Sequence, residues 1–476
     1  MRTIIRKNLI IICCLLFSLG CEKEFLQEPA PTTTVTSDVI FGSRTGAEAF
    51  ISGILRLLRA QYTATDTAGL NSIYYARTVK GNDIIQGPTW FTFDYENENR
   101  EPTYRRVSFT WQFCYDVINQ TNALINGVAA SDALSDTDKA ELSAQGRALR
   151  AFFYFQLAME FTSTYAENPT AEAPPIYTEL SLEGHPMTTL QEIYDLILED
   201  LNFAVANLDD YRLGKSYVNQ SVVYGMLAQV HQVMGNWGQA EDAARNAYGG
   251  DVQSVLNAAG YSDGFSDISN IEWIWGSPQS DDQSNYYWGA PHAHADHFVL
   301  SYAATFFNND FVAEFTPTDV RNLFLEYYNV GDTDYRNWIT TKFTFSFASD
   351  HPIMRTPEMI LIEAEAIYWQ GDEMGAHDLL FQLQSNRDPM AVMSANTGED
   401  LLNEILLERR KELYAEVGVE WFDAKRLRRG ITRTGNHRIG AAANLMPDDK
   451  KFYLKIPQAE IDANSLIDDS VNAYRD

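Results

Sequence analysis

At 476 residues, 45% of them hydrophobic, the chain has enough apolar sequence for one large core or roughly two to three average domains. Its 65 acidic against 36 basic residues, a formal charge of −29, exclude a nucleic-acid binder, which needs a clustered positive field to release counterions from phosphates. The cysteines, at 13, 14, 21 and 114, exclude a disulfide framework, since three lie in the leader and the fourth on an apolar helical face.

Arg2, Arg6 and Lys7 precede the apolar run Leu9 to Leu19, which is too short to span a bilayer and has the charge order of an export signal. Residues 1–20 therefore read as a cleaved leader. Ser18-Leu19-Gly20-Cys21 resembles the lipobox at which lipoprotein signal peptidase cuts, which implies that Cys21 becomes the lipidated N-terminus; Ser18 departs from the leucine commoner there. Residues 21–40 are acidic, then rich in proline and threonine, and read as an extended tether.

Beyond the tether the helical period takes over, and 41–476 is expected to be a single helical domain. From Gly46, residues Ala47, Phe50, Ile51, Ile54, Leu57 and Leu58 share one face. In 81–100, Trp90, Phe91, Phe93 and Tyr95 stand among Asn, Asp and Glu; Phe93 alternates with Phe91 and reads as a core position. Cys114, Val117, Ile118, Thr121, Leu124, Ile125 and Val128 line one face of the next helix, which makes Cys114 an inert core thiol. The stretch from Ser135 to Asn168 reads as one long helix, started by Ser135 and Asp138. Between Ala151 and Phe161 only Gln156 and Glu160 are plainly polar, so other helices must cover it on nearly every side. Thr189 and Glu192 form a capping box ahead of Ile193, Ile197, Leu201, Ala204 and Leu208.

Two later segments repeat each other. Leu227, Ala228, His231, Gly235, Ala240 and Ala247 occupy tetratricopeptide positions, where small residues let antiparallel helices approach, and Ala364, Ile367, Gly371, Ala376 and Leu383 hold the same phase in 358–386. Such pairs leave an apolar face open and stack into a superhelix. Between them, about 249–350, the helical period fades and Gly, Asp, Ser and aromatics rise; IEWIW at 271–275 alternates like a strand. The fold class is all-α: a tetratricopeptide-like scaffold with a long loop-rich, aromatic-rich insertion.

Several blocks carry a family resemblance. Arg147, Arg150, Ala151, Tyr154, Phe155, Leu157 and Phe161 match R-x-x-R-A-x-x-Y-F-x-L-x-x-x-F. Glu408, Arg409, Glu412, Leu413, Gly418, Trp421, Phe422, Asp423 and Arg426 are similar to E-R-x-x-E-L-x-x-E-G-x-R-W-F-D-L-x-R, with Val417 and Glu420 where Glu and Arg are frequent. Asp350, Pro352 and Arg355, and the closing run Lys455-Ile456-Pro457 to Asn464, Asn472 and Tyr474, add two more blocks. Together they resemble the SusD/RagB family of surface nutrient-binding lipoproteins. The resemblance implies a non-enzymatic, cofactor-free protein, lipid-anchored at the cell outer membrane. It would bind an oligosaccharide through its loops and deliver it to a SusC-like TonB-dependent transporter.

One motif points elsewhere. His292-Ala293-His294-Ala295-Asp296-His297 fits H-x-H-x-D-H, the dinuclear zinc signature of metallo-β-lactamase-type hydrolases, in which imidazoles and a carboxylate hold metals that polarise water. That fold needs a β-sandwich and further His and Asp ligands, whereas only His351, His377 and His437 follow, so no metal and no catalytic residue is assigned. A zinc hydrolase and a peptide-binding or scaffold protein are the alternatives. No G-x-S-x-G, P-loop or G-x-G-x-x-G at a strand-to-helix turn is present. Sugar rings offer an apolar C–H face and a hydroxyl rim, which suits aromatics beside amides and carboxylates. Trp90 in its polar loop, and Tyr287 and Trp288 in SDDQSNYYWGAPH, fit that description, and Asp83, Trp90, Tyr287 and Trp288 are the expected ligand-binding residues.

Overall fold

The computed structural model describes residues 36–60, 64–280 and 291–475, so Cys21, Tyr287 and Trp288 lie outside the described residues. The body is made of α1 (Arg44–Leu57), α2 (Gly69–Thr78), α3 (Arg105–Ala130), α4 (Asp136–Phe161), α5 (Leu190–Asn207), α6 (Gln220–Met234), α7 (Trp237–Tyr248), α8 (Thr356–Trp369), α9 (Glu373–Arg387), α10 (Glu399–Leu413) and α11 (Val419–Arg426). The longer strands, β1 (Ile84–Gln86), β2 (Trp273–Ser277), β3 (Thr305–Phe307) and β4 (His351–Arg355), form two-stranded antiparallel pairs, β1 with β3 and β2 with β4. The class is all-α, with the sheet confined to small pairs in and beside the insertion.

α4 lies between α3 and α5. Ser135 Oγ accepts from the Asp138 amide at 3.1 Å and starts it, and every residue from Leu149 to Phe161 is buried. The polar residues of this helix tie it to its neighbours. Arg150 donates to both carboxylate oxygens of Asp200 in α5, at 2.7 and 2.8 Å, and to Asn122 in α3 at 2.9 Å. Glu160 accepts from Arg77 of α2. The helix read as running to Asn168 ends at Phe161, because tertiary donors take its last carbonyls. The Leu454 amide binds Glu160 O at 2.7 Å, and Lys425 Nζ binds Met159 O, and Thr162 O at 2.7 Å. Those bonds answer the groups that a further turn would have used.

The two repeats are helical hairpins, α6 with α7 and α8 with α9. Gly235 (φ 72°) and Gly371 (φ 90°) make the left-handed turns, a conformation that a Cβ disfavours. Ala240 and Ala376 are fully buried just past those turns, and α7 packs directly on α8, so the repeats stack although the insertion separates them in sequence. Trp237 and Trp369 stack at 5.4 Å across that joint.

The insertion is more than loops. Phe306, Phe307, Phe311, Phe315, Phe324, Ile339 and Phe343 form a second core with Tyr75, Val79, Ile84, Ile85, Phe91, Tyr95 and Tyr414. β2 lies at the joint between this core and the helical one. Trp273 packs in the aromatic core while Ile274 and Trp275 pack in the helical core, where Trp275 meets Phe152 edge-on at 5.0 Å. The strand signal at 271–275 is therefore displaced by two residues and its alternation is lost: all five residues of β2 are buried, and Ile271 is left exposed before it.

Candidate functional site

β1 sets the position of the Trp90 loop. Paired with β3, it delivers Gly87, whose amide donates to Ala304 O at 2.7 Å, and the chain then turns into a single helical turn, Thr92–Tyr95. In that turn Phe91 and Tyr95, four residues apart, point inward and are fully buried. Trp90 and Phe93 are consequently left outward, 41% and 59% exposed. The burial read for Phe93 from its alternation with Phe91 is thus corrected: period 2 holds for a strand, and this segment is helical.

Trp90 and Phe93 wall a cleft of about 650 Å³ together with Asn99, Thr103, Tyr104 and Arg105. Tyr104 is also exposed, so three aromatic faces meet amide, hydroxyl and guanidinium groups there. This combination offers flat apolar plates and a polar rim in one concavity. Sequence reasoning singled out Trp90 but missed Tyr104 and Arg105, which open α3 and carry no local signal of exposure.

Asp83 sits at the other end of β1 and is 5% exposed. Its carboxylate accepts from both Nε, at 2.9 Å, and Nη2 of Arg410 in α10, which corrects its assignment to a binding face: it is an internal anchor. The departure at Glu420 belongs to the same turn. Glu420 Oε2 accepts the amides of Asn82 and Asp83 at 2.7 and 3.2 Å, so the acidic residue there clamps the backbone that leads into β1. Burial, reinforced by the nearby Asp83 charge, pushes the Glu420 carboxyl up to about 7.

Residues 35–231 match the family model SusD-like_3, described as starch-binding associating with outer membrane, and residues 327–472 match the model of the SusD family. The chain belongs to the SusD family. It is 23% identical to a SusD-like protein, P38, of Formosa agariphila over 90% of this chain and 93% of that one. A second relative from that organism, SusD-like protein P25, is 21% identical, and the match spans 51% of its length. Among solved structures, a SusD-like carbohydrate binding protein from Bacteroides vulgatus has a TM-score of 0.81 at 24% identity, covering 90% of this chain and 97% of that chain. Surface glycan-binding protein A from Bacteroides thetaiotaomicron, in complex with laminarihexaose, has a TM-score of 0.66 at 16% identity, with 88% and 97% covered.

In this SusD-family chain the H-x-H-x-D-H residues are brought near one another but not onto a common point. His292 and His294 lie in the buried turn His292–Ala295. His292 Nε2 is 2.6 Å from Phe265 O, and its ring meets His351 edge-on. His294 is packed among Tyr75, Phe91 and Tyr302 at 5.0, 5.1 and 4.9 Å. His297 spans Tyr328 Oη at 3.0 Å and Thr305 O at 2.9 Å, while Asp296 accepts the amides of Phe298 and Phe345. Burial lowers the imidazoles of His292 and His294 to about 4 and about 3. Among the described residues no three His, Cys, Asp or Glu side chains converge as metal ligands. The motif's residues are core and hydrogen-bonding groups of the aromatic core, which removes the geometric basis of the hydrolase reading.

A further exposed aromatic group escaped the sequence reading. Phe298 meets Tyr327 edge-on at 5.1 Å, and Tyr327 meets Tyr328 at 5.0 Å. Its sequence signal was the pair of tyrosines in the polar run EYYNVGDTDY, of the same kind as the pair at 286–287.

Proposed function

We propose that the chain is a cell-surface glycan-binding protein that captures an oligosaccharide on the Trp90 face and passes it to a SusC-like TonB-dependent transporter, held at the outer membrane by lipidated Cys21. The observation that carries this reading is the cleft of exposed Trp90, Phe93 and Tyr104, built on a loop that β1 and buried Phe91 fix rigidly to the scaffold. Tyr287 and Trp288, outside the described residues, stay in the proposed binding face on their sequence alone, aromatics set among polar residues. The solved complex of surface glycan-binding protein A with laminarihexaose, a protein of the same fold, supports an oligosaccharide as the cargo.

The test is calorimetric binding across a panel of plant, algal and host glycans, with thermal melts of the same variants. Trp90→Ala should weaken binding by roughly 1 to 3 kcal/mol, about five- to more than a hundredfold, while leaving the melting temperature nearly unchanged. Trp273→Ala, at a fully packed position, should instead cost on the order of 3 to 5 kcal/mol of stability. Unchanged glycan binding in Trp90→Ala would place the site elsewhere.

A further inference from the structure

We propose that the Trp90 cleft selects acidic glycans, taking a sugar carboxylate or sulfate ester on Arg105 while a neighbouring ring lies against Trp90. This names the ligand class of the site above and rests on the glycan-capture reading. The Arg105 guanidinium carbon lies 5.9 Å from the centroid of the Trp90 ring, so cation and plate belong to one subsite. Its Nη2 donates to both oxygens of Asp66, at 3.0 and 2.9 Å. The Asp66 side chain is 4% exposed and that of Arg105 51%, so the anion is hidden beneath and the cation is what a ligand meets. Nε and Nη1 of Arg105 donate to no described residue. Asp66 is the one carboxylate among the described residues walling the cleft, in a chain that carries −29 overall.

A second, independent observation comes from the adjacent wall residue. Arg106 is buried, its Nε donates to Asp94 at 3.2 Å, and its Nη1 and Nη2 find no partner among the described residues. Its guanidinium carbon lies 5.3 Å from the centroid of Phe91, the residue next to Trp90. Buried as they are, these N–H groups meet no ligand directly, but a cation in a low-dielectric wall of the cleft favours an anion bound at Arg105 through its field. The acidity of the remaining surface does not cancel this at physiological salt, where charges beyond about 8 Å are largely screened. A guanidinium is well matched to carboxylate and sulfate oxygens, whereas a neutral sugar gains little from it.

The full chain would be titrated with two matched pairs: an oligogalacturonate and its carboxyl-reduced form, and a sulfated galactan oligosaccharide and its desulfated form. The acidic member of at least one pair should bind about tenfold tighter or more, the scale of one charge-assisted hydrogen bond, with the gap narrowing as salt rises. The pair that responds distinguishes carboxylate from sulfate. Arg105→Gln should close the gap, Arg105→Lys should retain part of it, and Trp90→Ala should weaken both members alike. Equal binding of acidic and neutral members, or a gap that survives Arg105→Gln, overturns the selectivity and leaves glycan capture standing. Binding of no oligosaccharide in either pair or in the wider panel overturns both.

Discussion

The side chain of His294 shows how a polar residue is used as an aromatic plate. It is enclosed by Tyr75, Phe91 and Tyr302, and neither ring nitrogen has a partner among the described residues. Burial depresses its imidazole to about 3, and burial likewise holds His292 and His437 to about 4. Below about pH 6.5 the unfolded chain protonates these rings while the folded chain does not, so the folded state binds fewer protons and stability falls as pH drops from 6.5 toward 4. Replacing His294 by Phe keeps the plate and removes both the titration and the two unanswered nitrogens. The melting temperature of His294→Phe should therefore exceed that of the wild type by more at pH 5 than at pH 7.5. An equal difference at both values would show that His294 finds a hydrogen-bond partner in solution.

At the scale of an element, the turn before β1 depends on a carboxylate that is reluctant to ionise. Glu420 in α11 clamps two amides of that turn, and burial, with Asp83 nearby, raises its carboxyl to about 7. Here the sign is opposite to that of the histidines. The folded state keeps a proton that the unfolded state has released above about pH 4.5, so this group lowers stability as pH rises from about 4.5 to 7. Both amides bind the same oxygen, Oε2, and a glutamine carbonyl in its place can accept both without a charge. Glu420→Gln should accordingly lose that slope and be more stable than the wild type at pH 8, read from urea unfolding at pH 5 and pH 8. A variant less stable at pH 8 would mean that the charge itself holds the turn. Because β1 carries the Trp90 loop, the same variant reports whether this clamp sets the binding face.

At the scale of the whole molecule, a buried ion network fastens the two cores together. Arg321, Lys342 and Arg355 come from the insertion and β4, and Arg387 from α9. They converge on Glu272, Glu408, Glu412 and Glu416; Arg387 Nε meets Glu412 at 3.0 Å, Arg355 Nη1 meets it at 2.9 Å and Lys342 Nζ meets Glu416 at 2.7 Å. Burial alone would raise the Glu412 carboxyl, but Arg387, Arg355 and Arg321 hold it well below the usual carboxylate range. Glu412→Gln leaves guanidinium charge buried without its counter-ion and should cost about 3 to 5 kcal/mol in denaturant unfolding at pH 7. A loss below about 1 kcal/mol would mean that water or rearrangement replaces the carboxylate.

The amino-acid sequence by itself determined the helical scaffold and its family. Spacing at i, i+3 and i+4, the caps at Ser135 and Thr189, and the glycines at 235 and 371 are local signals, and each element they mark is present. The family blocks were legible as letters, and their physical content was not: Arg150, Arg355, Glu412 and Arg426 are the buried ion pairs between elements. Only the tertiary structure decided the end of α4, the separation of the histidines, the outward turn of Phe93 and the loss of Asp83 from the binding face. The partner that claims Asp83 lies 327 residues away, and the donors that end α4 come from α11 and the C-terminal segment. A carboxylate on a polar loop and one locked beneath it have the same local sequence; the difference is the distant cation that folding brings to it.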